Sequence, residues 1–241
     1  MDRAKEDKLA KQLKHPEENE KESESIERMI DNTIRRGHNV YLMTDWHLWV
    51  RKEKNKPECH KRNGFYKLIK TINDTLDKND LLIYLGDLVD GEFENKKELE
   101  TVLKTIAGKK ILVRGNNDLF SLPFYEKCGF SKVVDSFIWH NIIFSHIPLK
   151  NDNDLNIHGH LHGCKIYWVP YKNHVDVGAL GGRVKPIKLK QVIKAQPEYA
   201  KTIEEDKSHF DEGYIPIINS SNIFEECMNG TISFIPDPFD D

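Results

Sequence analysis

From about residue 39 onward, short apolar runs alternate with amphipathic segments. NVYLMT (39–44) stops at Asp45, LLIYL (81–85) stops at Gly86-Asp87, and ILVR (111–114) stops at Gly115-Asn116. Short continuous apolar runs closed by turn-forming residues read as buried strands. Between them, Phe65, Leu68, Ile69, Ile72 and Leu76 recur at helical spacing before an Asn79-Asp80 stop, and Leu99, Val102, Leu103 and Ile106 do so before Gly108. Strands alternating with helices predict an α/β sheet whose early strands are parallel. The second half loses its long helices. SFIW, a His140-Asn141 turn and IIFS form a hairpin that runs into His146, and NIH (156–158), KIYWV (165–169) and VDV (175–177) follow as short strands. PIKLKQVIKA (186–195) closes the series as a strand or a short helix.

Both ends differ from this pattern. Residues 1–27 are dense in charge and poor in apolar positions, so they form a flexible arm or a loose helix that cannot bury enough surface to offset its ordering entropy. Ser25 reads as the cap of an amphipathic helix with Ile26, Met29, Ile30 and Ile34 on one stripe. Beyond Pro197 the periodicity fades toward the acidic end DPFDD. The expected organisation is an N-terminal arm (1–25), one domain (26–195) and a C-terminal extension (196–241) of unassigned role.

Composition changes this picture little. Lys and Arg total 36 against 39 Asp and Glu, a formal charge of -3. That balance argues against a nucleic-acid partner held by bulk electrostatics. No apolar run approaches the roughly 18 residues of a membrane span, and no apolar leader precedes the arm, so the expectation is a soluble, cytoplasmic protein without a membrane partner. Cysteines 59, 128, 164 and 227 share no metal-ligand spacing and read as free thiols.

Candidate chemistry falls at the ends of the apolar runs. Asp45-Trp46-His47 follows the first strand, Asp87 in G-D-L-V-D the second, and Asn116 in G-N-N-D the third. His146 ends the hairpin, and His160 and His162 lie in G-H-L-H-G. In open α/β sheets, ligands gather beyond the carboxyl ends of strands. Carboxylate, amide oxygen and imidazole together suit divalent Mn, Fe, Zn or Ni. Seven such groups exceed the needs of one ion and suit two that share a carboxylate, about 3.5–4 Å apart, a clamp used in phosphoryl hydrolysis. Each motif alone is weak; their order and shared position carry the reading.

This series, Asp45-x-His47, Gly86-Asp87-x-x-Asp90, Gly115-Asn116, His146 and Gly159-His160-x-His162, resembles the calcineurin-like metallophosphoesterase superfamily over residues 38 to 195, in particular its small bacterial and phage members. The resemblance implies a four-layer α/β/β/α sandwich of two mixed sheets with a dimetal site at one edge. It implies two divalent ions, with Mn²⁺ favoured and Fe, Zn or Ni as alternatives. Asp45, His47 and His162 would hold the first ion, Asn116, His146 and His160 the second, and Asp87 would bridge them. The implied activity is in-line hydrolysis of a small phosphodiester or phosphomonoester by a metal-held hydroxide. The competing reading is a non-catalytic interaction module on the same fold, as in the retromer subunit of this superfamily; a nuclease finds no support in the net charge.

Two departures bear on substrate. Many members of the superfamily carry G-N-H-D/E, whose His supplies a proton to the leaving group. Asn117 stands at that place, and an amide cannot release a proton. Asp90 and Asp118, which would orient the missing imidazole, remain. Gly91-Glu92 replaces the Arg-Gly of protein phosphatases, so the phosphate-gripping arginine is expected elsewhere, with Arg114 or the basic 51–62 loop as candidates. His158 and His174 read first as structural. Trp46 and Trp49 flank His47, with core packing expected for at least one, and His60 is a weak candidate for an extra contact.

Overall fold

The computed structural model describes residues 16–48, 62–89, 96–149, 154–162 and 173–197. Helix α1 (Pro16–Arg35) leads into β1 (Val40–Met43), α2 (Arg62–Thr75), β2 (Leu81–Tyr84), α3 (Lys96–Leu103), β3 (Lys109–Val113), α4 (Leu122–Lys127) and β4 (Lys132–Val134). The strands β5 (Ser136–Trp139), β6 (Ile142–Ser145), β7 (Leu155–His158), β8 (His174–Asp176) and β9 (Ile187–Lys188) follow. A helical run, α5, covers 189–197. The strand KIYWV lies outside the described residues, as do Trp49, residues 51–61 and Asp90.

Two mixed sheets form. The first has the order β4-β3-β2-β1-β9, with β1 to β4 parallel and β9 antiparallel to β1. The second has the order β5-β6-β7-β8, with an antiparallel β5–β6 hairpin and parallel β6–β7 and β7–β8 pairs. The first strands read as continuous apolar runs because both faces are covered. Val40, Leu42, Leu81, Ile83, Ile111 and Val113 face a core shared with Phe137, Phe144, Ile157 and Val175 of the second sheet. Alternate residues Tyr41, Met43, Leu82, Tyr84 and Leu112 face the other way, against Leu68 and Ile72 of α2 and Leu76 just beyond it, Leu99 and Leu103 of α3, and Tyr125 of α4. Each of these side chains contributes roughly 1.5–3 kcal/mol by leaving water.

Three local features differ from the sequence expectation. Helix α1 begins at Pro16, well before Ser25, because Glu and Lys are good helix formers and proline is tolerated in a first turn. Its buried stripe is Ile26, Ile30 and Thr33, whereas Ile34 is 47% exposed. Thr33 keeps its place by donating its hydroxyl proton to Met29 O (2.8 Å). Strand β4 is only three residues long, too short for a periodic signal, and β9 and α5 show that 186–195 is both strand and helix.

Strand register then positions the edge that matters. Met43 pairs with Tyr84, and Tyr84 with Leu112, so β1, β2 and β3 end level. Beyond them, Asp45 N–H donates to Gly86 O (3.0 Å) and His47 N–H to Asp87 O (2.9 Å). In the second sheet, Gly159 N–H donates to His146 O (3.1 Å), which brings the ends of β6 and β7 to the same place.

Candidate metal centre

All seven residues expected as ligands converge in this edge. Their donor atoms form two adjoining groups, Asp45–His47–His162 and Asp87–His146–His160, each with one atom per residue within 4.8 Å of the others. Asn116 joins the second group, with its Oδ1 3.1 Å from His146 Nε2. Asp87 Oδ2 lies between the groups, 3.3 Å from His146 Nε2 and 3.6 Å from His47 Nε2. His162 Nε2 is 3.3 Å from Asp45 Oδ1.

The backbone turns these side chains inward at a cost. Asp45 (φ 54°), His47 (47°), Asp87 (56°), His160 (70°) and His162 (56°) all adopt left-handed conformations. Non-glycine residues do so only a few per cent of the time, and such strain concentrates at functional sites. Gly86 (φ 86°) supplies the same conformation at the end of β2. Gly115 serves by closeness: a Cβ there would sit 2.1 Å from Asp87 Oδ1.

Hydrogen bonds fix His146, Asp45 and Asp87 from behind. His146 Nδ1–H donates to Leu85 O (2.7 Å), which turns Nε2 toward the site. Thr44 Oγ1 lies 2.8 Å from Asp45 Oδ2, and His160 N–H donates to the same carboxylate (3.0 Å). Asn117 holds Asp87 twice, by N–H to Oδ1 and Nδ2–H to Oδ2, both at 2.9 Å.

The electrostatics follow from this crowding. Burial raises the Asp45 carboxyl, but His162, His146 and His47 outweigh it and hold it well below the usual range. Asp87 is lowered too, as His146 and His47 overcome its burial. Burial lowers His47 to about 3 against the pull of Asp87, and burial with the His146 charge lowers His160 to about 4. His146 goes the other way: burial is overcome by Asp87 and Asp45, which push it up to about 10.

The donor set fits divalent cations. His47 Nε2 and His162 Nε2 face each other at 3.0 Å, and His146 Nε2 and His160 Nδ1 at 3.2 Å, with carboxylate oxygens of Asp45 or Asp87 within 4 Å of the first three. Such converging lone pairs repel unless a proton or a cation lies among them, and mixed imidazole–carboxylate sets are those of Mn, Fe or Zn.

Asp118 has partners other than those expected. Its Oδ2 accepts from Asp87 N–H (2.9 Å) and Gly115 N–H (2.8 Å), and its Oδ1 from Leu88 N–H (3.0 Å), Val89 N–H (3.3 Å) and Tyr125 O–H (3.3 Å). It ties the ends of β2 and β3 together and does not orient residue 117. Arg114, one candidate for gripping phosphate, donates from Nε to Asp135 Oδ1 (2.8 Å) and also through Nη2. His158 and His174 are buried and bonded to each other, Nε2 to Nδ1 at 2.9 Å, with the other nitrogen of His158 on Gly159 O. Trp46 is buried, stacking edge-on against Tyr84.

Sequence reasoning passed over Thr44 and Arg183. Thr44 sits directly before Asp45, where a hydroxyl is a natural partner for a carboxylate. Arg183 follows the Gly181-Gly182 pair, and its Nε approaches Asp45 O at 3.5 Å.

The two mixed sheets thus bring clustered Asp, Asn and His side chains to one strand edge. The family model for calcineurin-like phosphoesterases matches residues 38–210, and the chain belongs to that family. The uncharacterized protein MJ1445 of Methanocaldococcus jannaschii is 26% identical over 166 residues, which is 64% of this chain and 89% of that protein. Among solved structures, the protein of unknown function AQ665 from Aquifex aeolicus is 24% identical with a TM-score of 0.49, over 65% of this chain and 98% of that one. The Pseudomonas putida nuclease MPE is 18% identical with a TM-score of 0.41, over 52% of this chain and 62% of that one. No described helix is long and apolar enough to cross a membrane.

Proposed function

We propose that the chain is a dimetal phosphoesterase acting on a small phosphodiester or phosphomonoester. The observation that carries this is the meeting of two imidazole–carboxylate groups at Asp87 Oδ2 on a strained strand edge. Asp45, His47 and His162 would hold one ion, Asn116, His146 and His160 the other, with Asp87 between them and Mn²⁺ the favoured metal. Divalent ions supply Lewis-acid activation of water and neutralise charge on phosphoryl oxygens when bound. We read the two sheets as the inner layers of a four-layer sandwich.

The chain's own residues prepare this chemistry. Leu85 O fixes the tautomer of His146, so that its ligating nitrogen points inward. His47 and His160 are neutral at physiological pH and present lone pairs without first losing a proton. Asn117 donates hydrogen bonds that orient Asp87, yet it has no proton to release to a departing alkoxide. Good leaving groups, such as aryl alcohols, are therefore the preferred substrates.

Asn117 is also what favours the competing reading of a non-catalytic module. Against it stands the cost of the site: a scaffold has no need to hold five non-glycine residues at positive φ around buried carboxylates. Stripping metal, adding Mn²⁺, and assaying an aryl phosphodiester beside an aryl monoester tests the proposal. Turnover that appears only with metal supports it; a folded, metal-loaded chain inert toward both overturns it.

A further inference from the structure

His160, one of the proposed ligands, sits in a turn that the chain would ordinarily avoid. Leu161 N–H donates back to Gly159 O (2.8 Å) across His160, whose φ is 70°. A three-residue closure at positive φ is the rare, strained form of γ-turn. The peptide between Gly159 and His160 is gripped at both ends. Its N–H donates to the Asp45 carboxylate, 3.0 Å from Oδ2 and 3.2 Å from Oδ1. Its oxygen also accepts from the imidazole of His158, with Nδ1 2.8 Å from Gly159 O. The C=O and N–H of a trans peptide point in opposite directions, so a grip on the oxygen aims the N–H. This one peptide therefore joins a residue of each group, Asp45 of the first and His160 of the second.

His158 can grip the turn in one tautomer only. Gly159 O accepts and never donates, so the proton lies on Nδ1, and Nε2 of the neutral ring must accept. His174 Nδ1 stands 2.9 Å from that Nε2 and supplies the donor. Both rings are buried, at 0% and 1% exposure, which disfavours a charged ring. Strand register sets their approach. His158 pairs with Asp176 across β7 and β8, and His174, two positions before Asp176, shares its face. Val177 N–H donates to His158 O (2.8 Å) and carries the pairing to the end of β7.

Two buried imidazoles are a costly filling for space that apolar side chains could occupy, unless their polar atoms are used. We propose that the His158–His174 pair is a positioning device for the metal centre. His174 fixes the tautomer of His158, and His158 holds the γ-turn that presents His160 and aims its N–H at Asp45. Neither ring of the pair is a ligand. This rests on the dimetal phosphoesterase reading, and its test separates the two.

The full chain is compared with His158→Asn, His158→Gln and His174→Leu. Asparagine carries an amide N–H close to the place of Nδ1 and keeps the bond to Gly159 O; glutamine carries its own close to Nε2 and loses that bond. Mn²⁺ affinity is measured by calorimetry and stability by urea unfolding. Histidine tautomers are read by NMR of the metal-free, ¹⁵N-histidine-labelled chain, the His158 signal being the one lost in His158→Asn. In wild type the His158 proton is expected on Nδ1. His158→Gln and His174→Leu are expected to weaken Mn²⁺ binding about tenfold or more, the cost of losing an outer hydrogen-bond partner of a metal site. His158→Asn should stay within about threefold of wild type, although it unfolds more readily, because the grip on the turn survives. A pair that only filled space would make Mn²⁺ affinity follow stability in all three variants. A His158 proton on Nε2 in wild type overturns the proposal without any variant. Equal Mn²⁺ losses in His158→Asn and His158→Gln also overturn it, as does an affinity within about twofold of wild type in His158→Gln or His174→Leu. A wild-type chain that binds Mn²⁺ but hydrolyses neither aryl ester ends the phosphoesterase reading, while the tautomer and the affinities still decide the role of the pair. A wild-type chain that binds no Mn²⁺ overturns both.

Discussion

Replacing Asp118 with asparagine tests how the site is held together. The carboxylate is buried and gathers four backbone N–H groups and one phenol. Burial and the neighbouring Asp87 push it up to about 7 in the metal-free chain, and the N–H donors pull it down. At pH 8 it is ionised, and bound cations would cancel the Asp87 charge and keep it so. Asparagine must turn its NH₂ toward one of the two donor sets: Asp87 and Gly115 on one side, or Leu88 and Val89 on the other. Either way two buried N–H groups lose their acceptor, at about 1–3 kcal/mol each. The expected loss is therefore about 2–6 kcal/mol in the Mn²⁺-loaded protein at pH 8, read from urea unfolding with unchanged m-value. Weaker Mn²⁺ binding should accompany it, because the ends of β2 and β3 carry Asp87 and Asn116. A loss under 1 kcal/mol, or a gain, would refute the reasoning, since it would mean that the aspartate is already protonated and the amide imitates it.

Other perturbations reach the site from different sides. Gly159→Ala would place a Cβ 1.9 Å from Thr44 Oγ1, so unfolding should show a loss of about 1–3 kcal/mol from overpacking, together with weaker metal binding. Asn117→His restores a group able to give up a proton; the rate with phenyl phosphate relative to 4-nitrophenyl phosphate should rise about tenfold or more, and an unchanged ratio would remove Asn117 from leaving-group chemistry. His146 is held near 10, so Mn²⁺ must displace its proton. Calorimetry in two buffers at pH 7.5 should show about one proton released, with affinity rising as pH rises toward 10. In the metal-free chain the same raised value gives a stability contribution that is complete below the usual histidine range and lost as pH rises through about 10.

What the sequence discloses of this molecule depends on how local the signal is. Asp45, Asp87, Asn116, His146, His160 and His162 stand at or just past the ends of apolar runs, so strand periodicity alone brings them to one edge. Asp118 is different: its partners are backbone N–H groups, three of them about thirty positions away, and no side-chain motif marks them. The positive φ values are equally hidden: Asp and His adopt that conformation more often than most residues, yet too rarely for their presence to mark it. Arg183 looks like an ordinary loop cation until the Thr44–Gly182 hydrogen bond shows where the loop is tied. On α1 the choice of Thr33 over Ile34 for the buried stripe is a matter of helix rotation, which a four-residue apolar pattern leaves open by about one position.

The most direct test of the central claim is a Mn²⁺ titration of the metal-stripped chain with bis(4-nitrophenyl) phosphate hydrolysis followed at each step. The account predicts no turnover without metal and a rate that saturates as two ions bind per chain, with Asp87→Asn abolishing both the second ion and the rate. Turnover independent of metal, or a folded chain that binds two ions and leaves both aryl diester and aryl monoester intact, would contradict it.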